Sequence, residues 1–374
     1  MLAGGLFLLG LALGFTGAAF PLLALALTAD VGRLGQALLF GSLGSIIASA
    51  VSTVSGSPAR RLLLLLAGPA TAAGILSLGM LYDATPARYS LMAICAGSAL
   101  IGAAVSRAWS ELALGGCRDS LLSLAAAALC AGALGSATFA WLAAPYLQLR
   151  TSAAVMAGIV LAVSFWLWTT AGNTQISKVA PSASRISATG MLFSLTLMLQ
   201  TSAYSILGLW LPFYLARQLG LSSTSAIGVL VMFWLAASVG RLLAIWSPRA
   251  KRFVPLLAAS ALVGGLGCFF LYFTVLPSGA AAGAALAGAA LGALHAPTFR
   301  FAPTARDAIG PAFLASLVLG PTAAGVAGAL AGIQGIALFI WTALGLFFGI
   351  PALIGVGALE SRLSASSQNK PGTP

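Results

Sequence analysis

The side chains able to do chemistry in this chain are few and widely scattered. Among 374 residues there are six carboxylates, Asp30, Asp83, Glu111, Asp119, Asp307 and Glu360, and a single histidine, His295. Four cysteines, Cys95, Cys117, Cys130 and Cys268, form no C-x-x-C pair and read as small helix-packing residues. No group of His, Asp or Cys has the spacing of a metal or nucleophile site, so no cofactor, no metal and no enzymatic activity are expected. A membrane enzyme or assembly factor is retained only as a remote alternative. The absence of a G-x-x-x-x-G-K-[ST] sequence removes ATP as a direct energy source.

Recognition is the chemistry that remains. Thr196, Gln200 and Tyr204 follow one another at four-residue spacing and share one stripe of a helix. An amide and a phenol deep in an apolar segment are costly unless they meet a partner or a wet cavity. His295 titrates near neutrality in its unperturbed form, so it could carry a proton or contact an anion, or simply bond a neighbouring helix. With Thr16 these residues form the candidate substrate face. Trp210 and Tyr214, flanking Pro212, are expected in an aromatic belt at the membrane interface.

The elements that must hold these residues are membrane helices. Hydrophobic residues make up 60%, mean hydropathy is +1.04 and charged residues are only 6%, against about a quarter for a soluble domain. A span of hydrocarbon takes about 20 apolar residues. The chain divides into twelve such spans, at 3–27, 34–55, 62–82, 89–110, 120–144, 151–172, 188–213, 223–245, 253–276, 279–301, 309–333 and 335–358. Backbone polar groups must be satisfied internally at that depth, so an all-α membrane protein is expected. The first span lacks a basic leader and matches the seventh, so it reads as a retained helix and not a signal peptide.

The spans come in two sets. Pro21-Leu-Leu-Ala matches Pro212-Phe-Tyr-Leu-Ala, and Ser57-Pro58-Ala-Arg60-Arg61 matches Ser247-Pro248-Arg249-Ala-Lys251-Arg252. Gly102-Ala-Ala matches Gly292-Ala-Leu, and Arg118-Asp119 matches Arg306-Asp307. Every pair is about 190 residues apart, the mark of a duplicated half. The expected domains are a six-helix bundle over 1–172, a linker over 173–187, a second bundle over 188–358 and a tail over 359–374. Duplicated bundles with a site between them are the construction of a secondary transporter.

Charge sets the expected orientation. The net charge of +12 is spread through short connectors and forms no basic face, so nucleic acid is not an expected partner. Of the 18 Lys and Arg, only Arg33, Arg88, Arg150 and Arg217 fall on the side away from the termini. The positive-inside rule then puts both termini in the cytoplasm of a cell whose inner membrane holds the chain. Basic and acidic residues at the cytoplasmic helix ends, Arg107, Glu111, Arg118, Asp119, Arg241, Arg300, Arg306 and Asp307, are expected to form a gate that shuts that side. The G-x-x-x-G pairs Gly10/Gly14, Gly279/Gly283, Gly288/Gly292, Gly328/Gly332 and Gly345/Gly349 are expected at close helix crossings.

At the basic connectors the chain resembles the major facilitator superfamily, which carries a G-x-L-a-D-R-x-G-R-R type sequence between helices 2 and 3 and a weaker copy between helices 8 and 9. Gly240-Arg241-Leu-Leu-Ala followed by Ser247-Pro248-Arg249-Ala-Lys251-Arg252 is similar to the second copy, and Ser57 to Arg61 to the first. The acidic residue is missing from both, with Pro58 and Pro248 near its place. Glu111 and Arg118 at the end of helix 4, and Gly320-Pro321 with Gly325 and Gly328 in helix 11, also resemble family features. The resemblance implies twelve helices in two pseudo-symmetric six-helix bundles, a rocker-switch mechanism and a cavity lined by helices 1, 4, 7 and 10. No carboxylate reaches the midplane, so a cation/proton drug antiporter is disfavoured. The expected activity is transport of a small organic solute, neutral or anionic, by a monomer in the bilayer. Export of amphipathic drugs or metabolites is the alternative. A coupling proton or a counter-anion is left open as a further partner.

Overall fold

The computed structural model describes residues 2–26, 30–54, 59–81, 84–114, 119–170, 188–246, 253–299 and 306–368. Among them are twelve helices: α1 (Leu2–Ala26), α2 (Val31–Val54), α3 (Ala59–Gly79), α4 (Ala84–Leu114), α5 (Asp119–Ala143), α6 (Leu149–Thr170), α7 (Ala188–Gln218), α8 (Ser223–Trp246), α9 (Phe253–Phe273), α10 (Pro277–Phe299), α11 (Arg306–Gln334) and α12 (Leu338–Gln368). Eleven are long and apolar enough to cross a membrane, while the described apolar part of α5, Ala127–Ala143, is shorter. Strands are absent among the described residues.

Most helix ends fall near the expected limits, and the misses have a cause. α7 runs on to Gln218 through Pro212, because a helix in lipid tolerates a proline whose missing bond neighbouring groups can offset. α12 continues to Gln368, past the apolar stretch that marked its end. Polar side chains cap helix starts: Asp30 Oδ1 accepts from the Arg33 amide at 2.7 Å before α2, and Ser222 Oγ from the Ser225 amide at 3.2 Å before α8, as N-caps do. Gly220 and Gly335 take φ of +62° and +99° in the turns after α7 and α11, where a left-handed residue ends the helix.

Packing within the first six helices repeats in the second six. The pairs α2–α4, α1–α5, α3–α4, α3–α6 and α1–α6 recur as α8–α10, α7–α11, α9–α10, α9–α12 and α7–α12. Between the halves, α2–α11 answers α5–α8, α4–α11 answers α5–α10, and α1 meets α7 on the pseudo-twofold.

Glycine makes the tightest of these crossings. Pro21 and Pro212 each remove the amide that would bond the carbonyl four residues earlier, and those carbonyls belong to Gly17 and Gly208. Where α1 crosses α7, Gly17 rests on the Gly208 carbonyl, which a Cβ on Gly17 would strike, while Gly208 itself faces the Trp234 ring of α8. Gly32 and Gly35 of α2 lie against Gly332 and Gly328 of α11, while Gly228 of α8 lies under Trp141 of α5. These contacts close the side of the molecule away from the termini (the far side). Of the expected G-x-x-x-G pairs, Gly10/Gly14 pack on α5, Gly288/Gly292 on α8 and Gly328/Gly332 on α2. Gly283 packs on Gly267 of α9 and Gly279 against Thr274, but Gly345 and Gly349 have nothing near them.

Candidate functional site

Between the halves lie two adjoining chambers. Leu13, Leu129 and Thr201 line both of them. The larger, about 100 Å³, is walled by α1, α2, α4, α5, α7 and α11; its polar side chains are Thr16, Cys95, Ser98, Thr201 and Ser205. Thr16 and Thr201 donate their hydroxyls to the carbonyls of Ala12 (2.7 Å) and Leu197 (3.0 Å) within their own helices. Apolar side chains make up most of its wall, with Ser98 and Ser205 as its other hydroxyls. The smaller, about 50 Å³, lies nearer the termini and is lined by Gln200, Tyr204, Arg241 and His295 among Leu6, Leu197 and Phe313.

Arg241 differs in place from the gate residue expected of it. It sits about 8 Å along the axis inside Trp246, the last residue of α8. Its exposure is 1%. Nη2 donates to the Tyr204 hydroxyl at 3.2 Å, and the guanidinium lies 5.6 Å from the centre of the same ring. Tyr204 is stacked on Trp234 with ring centres 5.7 Å apart and planes 7° from parallel, which fixes where its hydroxyl points. The Cys130 thiol of α5 lies beside that hydroxyl. The buried Arg241–Tyr204 pair thus ties α8 to α7 next to the opposite half.

Gln200 is held just as firmly. Its Nε2 donates to the Leu294 carbonyl at 3.1 Å and to Thr298 Oγ1 at 2.6 Å, while Thr298 itself donates to the Leu294 carbonyl at 2.9 Å. Oε1 is buried and has no hydrogen-bond partner among the described residues. His295, 8% exposed, lines the same chamber as Arg241.

The structure thus brings Gln200, Tyr204 and His295 together and sets Thr16 in the adjoining chamber. Thr196 shares the α7 stripe but lies outside both linings, with its hydroxyl on the Leu192 carbonyl at 2.8 Å. Thr201, Ser205, Ser98, Cys95 and Cys130 were not foreseen. The aromatic belt is a correction: Trp210 and Tyr214 are both 0% exposed. The Trp210 indole donates to the Ala324 carbonyl at 2.8 Å and stacks on Phe339, and the Tyr214 hydroxyl donates to the Leu271 carbonyl at 3.1 Å. Both side chains find partners inside the second half and so have no need of the interface. Of the remaining gate residues, Arg118 and Arg300 lie outside the described residues, as do the side chains of Arg107, Glu111, Asp119, Arg306 and Asp307. The helix limits place Glu111 in the last turn of α4, Asp119 at the start of α5 and Arg306 and Asp307 at the start of α11. No cluster of His, Cys, Asp and Glu able to hold a metal occurs among the described residues.

No family model and no curated protein matches the sequence. Solved structures do match in fold. The major facilitator superfamily transporter FucP, in the outward conformation, superimposes with a TM-score of 0.60 at 18% identity, over 95% of this chain and 97% of that one. A single-residue mutant of the nucleoside transporter NupG gives 0.66 at 11% identity, over 96% and 100%. A bacterial homologue of the iron transporter ferroportin, in its outward-facing state, gives 0.60 at 14%, over 95% and 99%. The chain has the fold of major facilitator superfamily transporters, an all-α membrane protein of two pseudo-symmetric six-helix bundles.

Proposed function

We propose that this chain is a secondary active or facilitative transporter that moves a small organic solute, neutral or anionic, across the inner membrane by rocker-switch alternating access. One observation carries the reading. A space lies between the halves, drawing side chains from both, and its polar wall holds Arg241, Gln200, Tyr204 and His295 with no carboxylate among the described lining residues. A cation at this depth belongs to a path or a site, since lipid excludes it. The moving bodies are residues 1–172 and 188–358, joined by 173–187 and followed by the tail over 359–374. The excess of basic residues on the terminus side puts both termini in the cytoplasm. Arg107, Glu111, Arg118, Asp119, Arg300, Arg306 and Asp307 form the latch on that side, opposite the glycine contacts of the far side.

Drug export is the weaker reading on grounds of volume. Chambers of about 100 and 50 Å³ fall well short of the roughly 300–1,000 Å³ that drug-sized ligands occupy. Purified protein in proteoliposomes loaded with unlabelled solute tests transport directly, by counterflow of labelled sugars, organic acids and amines. Neutral or anionic solutes should exchange faster than through empty liposomes. Exchange confined to large lipophilic cations would overturn the reading.

A further inference from the structure

If the chain is the transporter proposed above, one oxygen in the smaller chamber selects among its solutes. Thr298 donates its hydroxyl proton to the Leu294 carbonyl at 2.9 Å, so toward Gln200 its oxygen can only accept. The Gln200 amide atom 2.6 Å from that oxygen is therefore the nitrogen, which also donates to the Leu294 carbonyl. The network thus fixes the direction of the amide. Gln200 lines the chamber, whereas Leu294 and Thr298 do not. With Nε2 turned to α10, Oε1 is the amide atom left for the chamber. The residue is 1% exposed, and Oε1 has no hydrogen-bond partner among the described residues. A buried acceptor is costly to leave unmet, so this atom calls for a donor.

The neighbouring wall asks for the same thing. Thr201, which lines both chambers, and Thr16 have given their protons to the carbonyls of Leu197 and Ala12 and can only accept. Ser98 and Ser205 can turn either way. A carboxylate or phosphate brings more acceptors and no donor, so it would set an oxygen against Oε1. A neutral N–H or O–H satisfies it. Size narrows the class further. An apolar cavity of about 150 Å³ holds the six carbons of benzene, and adjoining chambers of about 100 and 50 Å³ offer a similar space. We propose that the space binds a neutral solute of about six non-hydrogen atoms, such as a short primary amide or vicinal diol. Its N–H or O–H donates to Gln200 Oε1, and its apolar remainder lies against Leu13 and Leu129 in the larger chamber.

The test uses the full-length protein in detergent and three solutes of one shape. Butyramide, 2-pentanone and butyrate differ only in the group on the carbonyl carbon, which is an amine with two donors, a methyl or a charged oxygen. Apparent affinities are read from thermal shifts over a millimolar concentration series, with 1,2-butanediol as the hydroxyl donor. Butyramide and the diol should each bind at least about tenfold more tightly than 2-pentanone and butyrate. Gln200→Met keeps the bulk and removes the acceptor. It should erase the gap between butyramide and 2-pentanone, with monodispersity on a sizing column as the check on folding. Equal binding of butyramide and 2-pentanone by the unaltered protein would overturn the proposal, as would preference for butyrate; neither result needs a variant. No shift with either donor would also overturn it and leave water as the partner of Oε1. If labelled anions exchange by counterflow while the amide and the diol are ignored, this solute class fails and the transporter reading stands. Binding in the expected order without counterflow of any solute supports the site and overturns the transporter reading.

Discussion

The two halves share a helix plan and differ sharply in chemistry. Laid over each other by the offset that pairs Pro21 with Pro212, Gln200 falls on Leu9 and Tyr204 on Leu13. By the offset that pairs Gly102 with Gly292, Arg241 falls on Val51 and His295 on Val105. Every charged or strongly polar lining residue of the smaller chamber thus belongs to the second half. The first half answers with leucine and valine, plus the Cys130 thiol that meets Tyr204. The contact frame keeps more of the likeness: at the α1–α7 crossing Gly17 rests on the carbonyl of Gly208, its equivalent, each four residues before an equivalent proline. The helix pairing is kept where the halves touch. Likeness of side chains is lost where a solute would bind, because an asymmetric molecule in one site cannot present the same groups to both halves.

Making the second half resemble the first should break that asymmetry. Arg241→Val installs the residue of the equivalent position. Truncating a buried, hydrogen-bonded charge typically costs about 2–5 kcal/mol, so solute counterflow should fall about 100-fold while the protein stays folded on a sizing column. Normal transport in this variant would make Arg241 a topology anchor. A smaller effect is expected at the far-side seal. Gly35→Leu drives a side chain into the backbone of α11, and overpacking costs about 1–3 kcal/mol. The equilibrium should therefore shift about 5- to 150-fold toward the state open on the far side, read as longer spin-label distances between α2 and α11. Unchanged distances would mean that this contact is not the seal.

Gln200→Leu gives opposite signs for stability and function. The Leu294 carbonyl keeps its bond from Thr298, and the buried, unpartnered Oε1 is removed. Melting should rise by the equivalent of about 1 kcal/mol while counterflow drops about tenfold. A large loss of stability would make the amide a structural brace. The smallest effect belongs to Trp210→Phe, which keeps the stacking on Phe339 and forfeits the bond to the Ala324 carbonyl. A loss of about 1 kcal/mol in melting, with transport within about twofold, would separate this core aromatic from the site. A strong transport defect would extend the site to the far side.

Particular residues show how far the sequence could be read. Four-residue spacing put Gln200 and Tyr204 on one face of α7, and the structure sets both in one chamber. The spacing could not say where along that face the chamber stops, and Thr196 lies a turn beyond it. Arg241 was read with the basic connector because Gly240-Arg241 resembles a family motif and the charge lies near a helix end. Its burial depends on α8 running to Trp246 and on Tyr204 and Trp234 walling it in. A signal was present in the duplication, since an arginine stands where the first half has Val51. Trp210 and Tyr214 misled in the other direction, because amphipathic rings suit an interface as well as they suit a core with carbonyls to spare.

Length and apolar composition determined the helices, because a backbone in lipid has few other ways to satisfy its polar groups. The duplication determined that the helices would pack in two like sets. Only the tertiary structure decided which polar side chains would converge. That depends on rotations and depths set by glycine-mediated contacts between helices far apart in the chain, and a shift of one residue along a helix turns a side chain by about 100°.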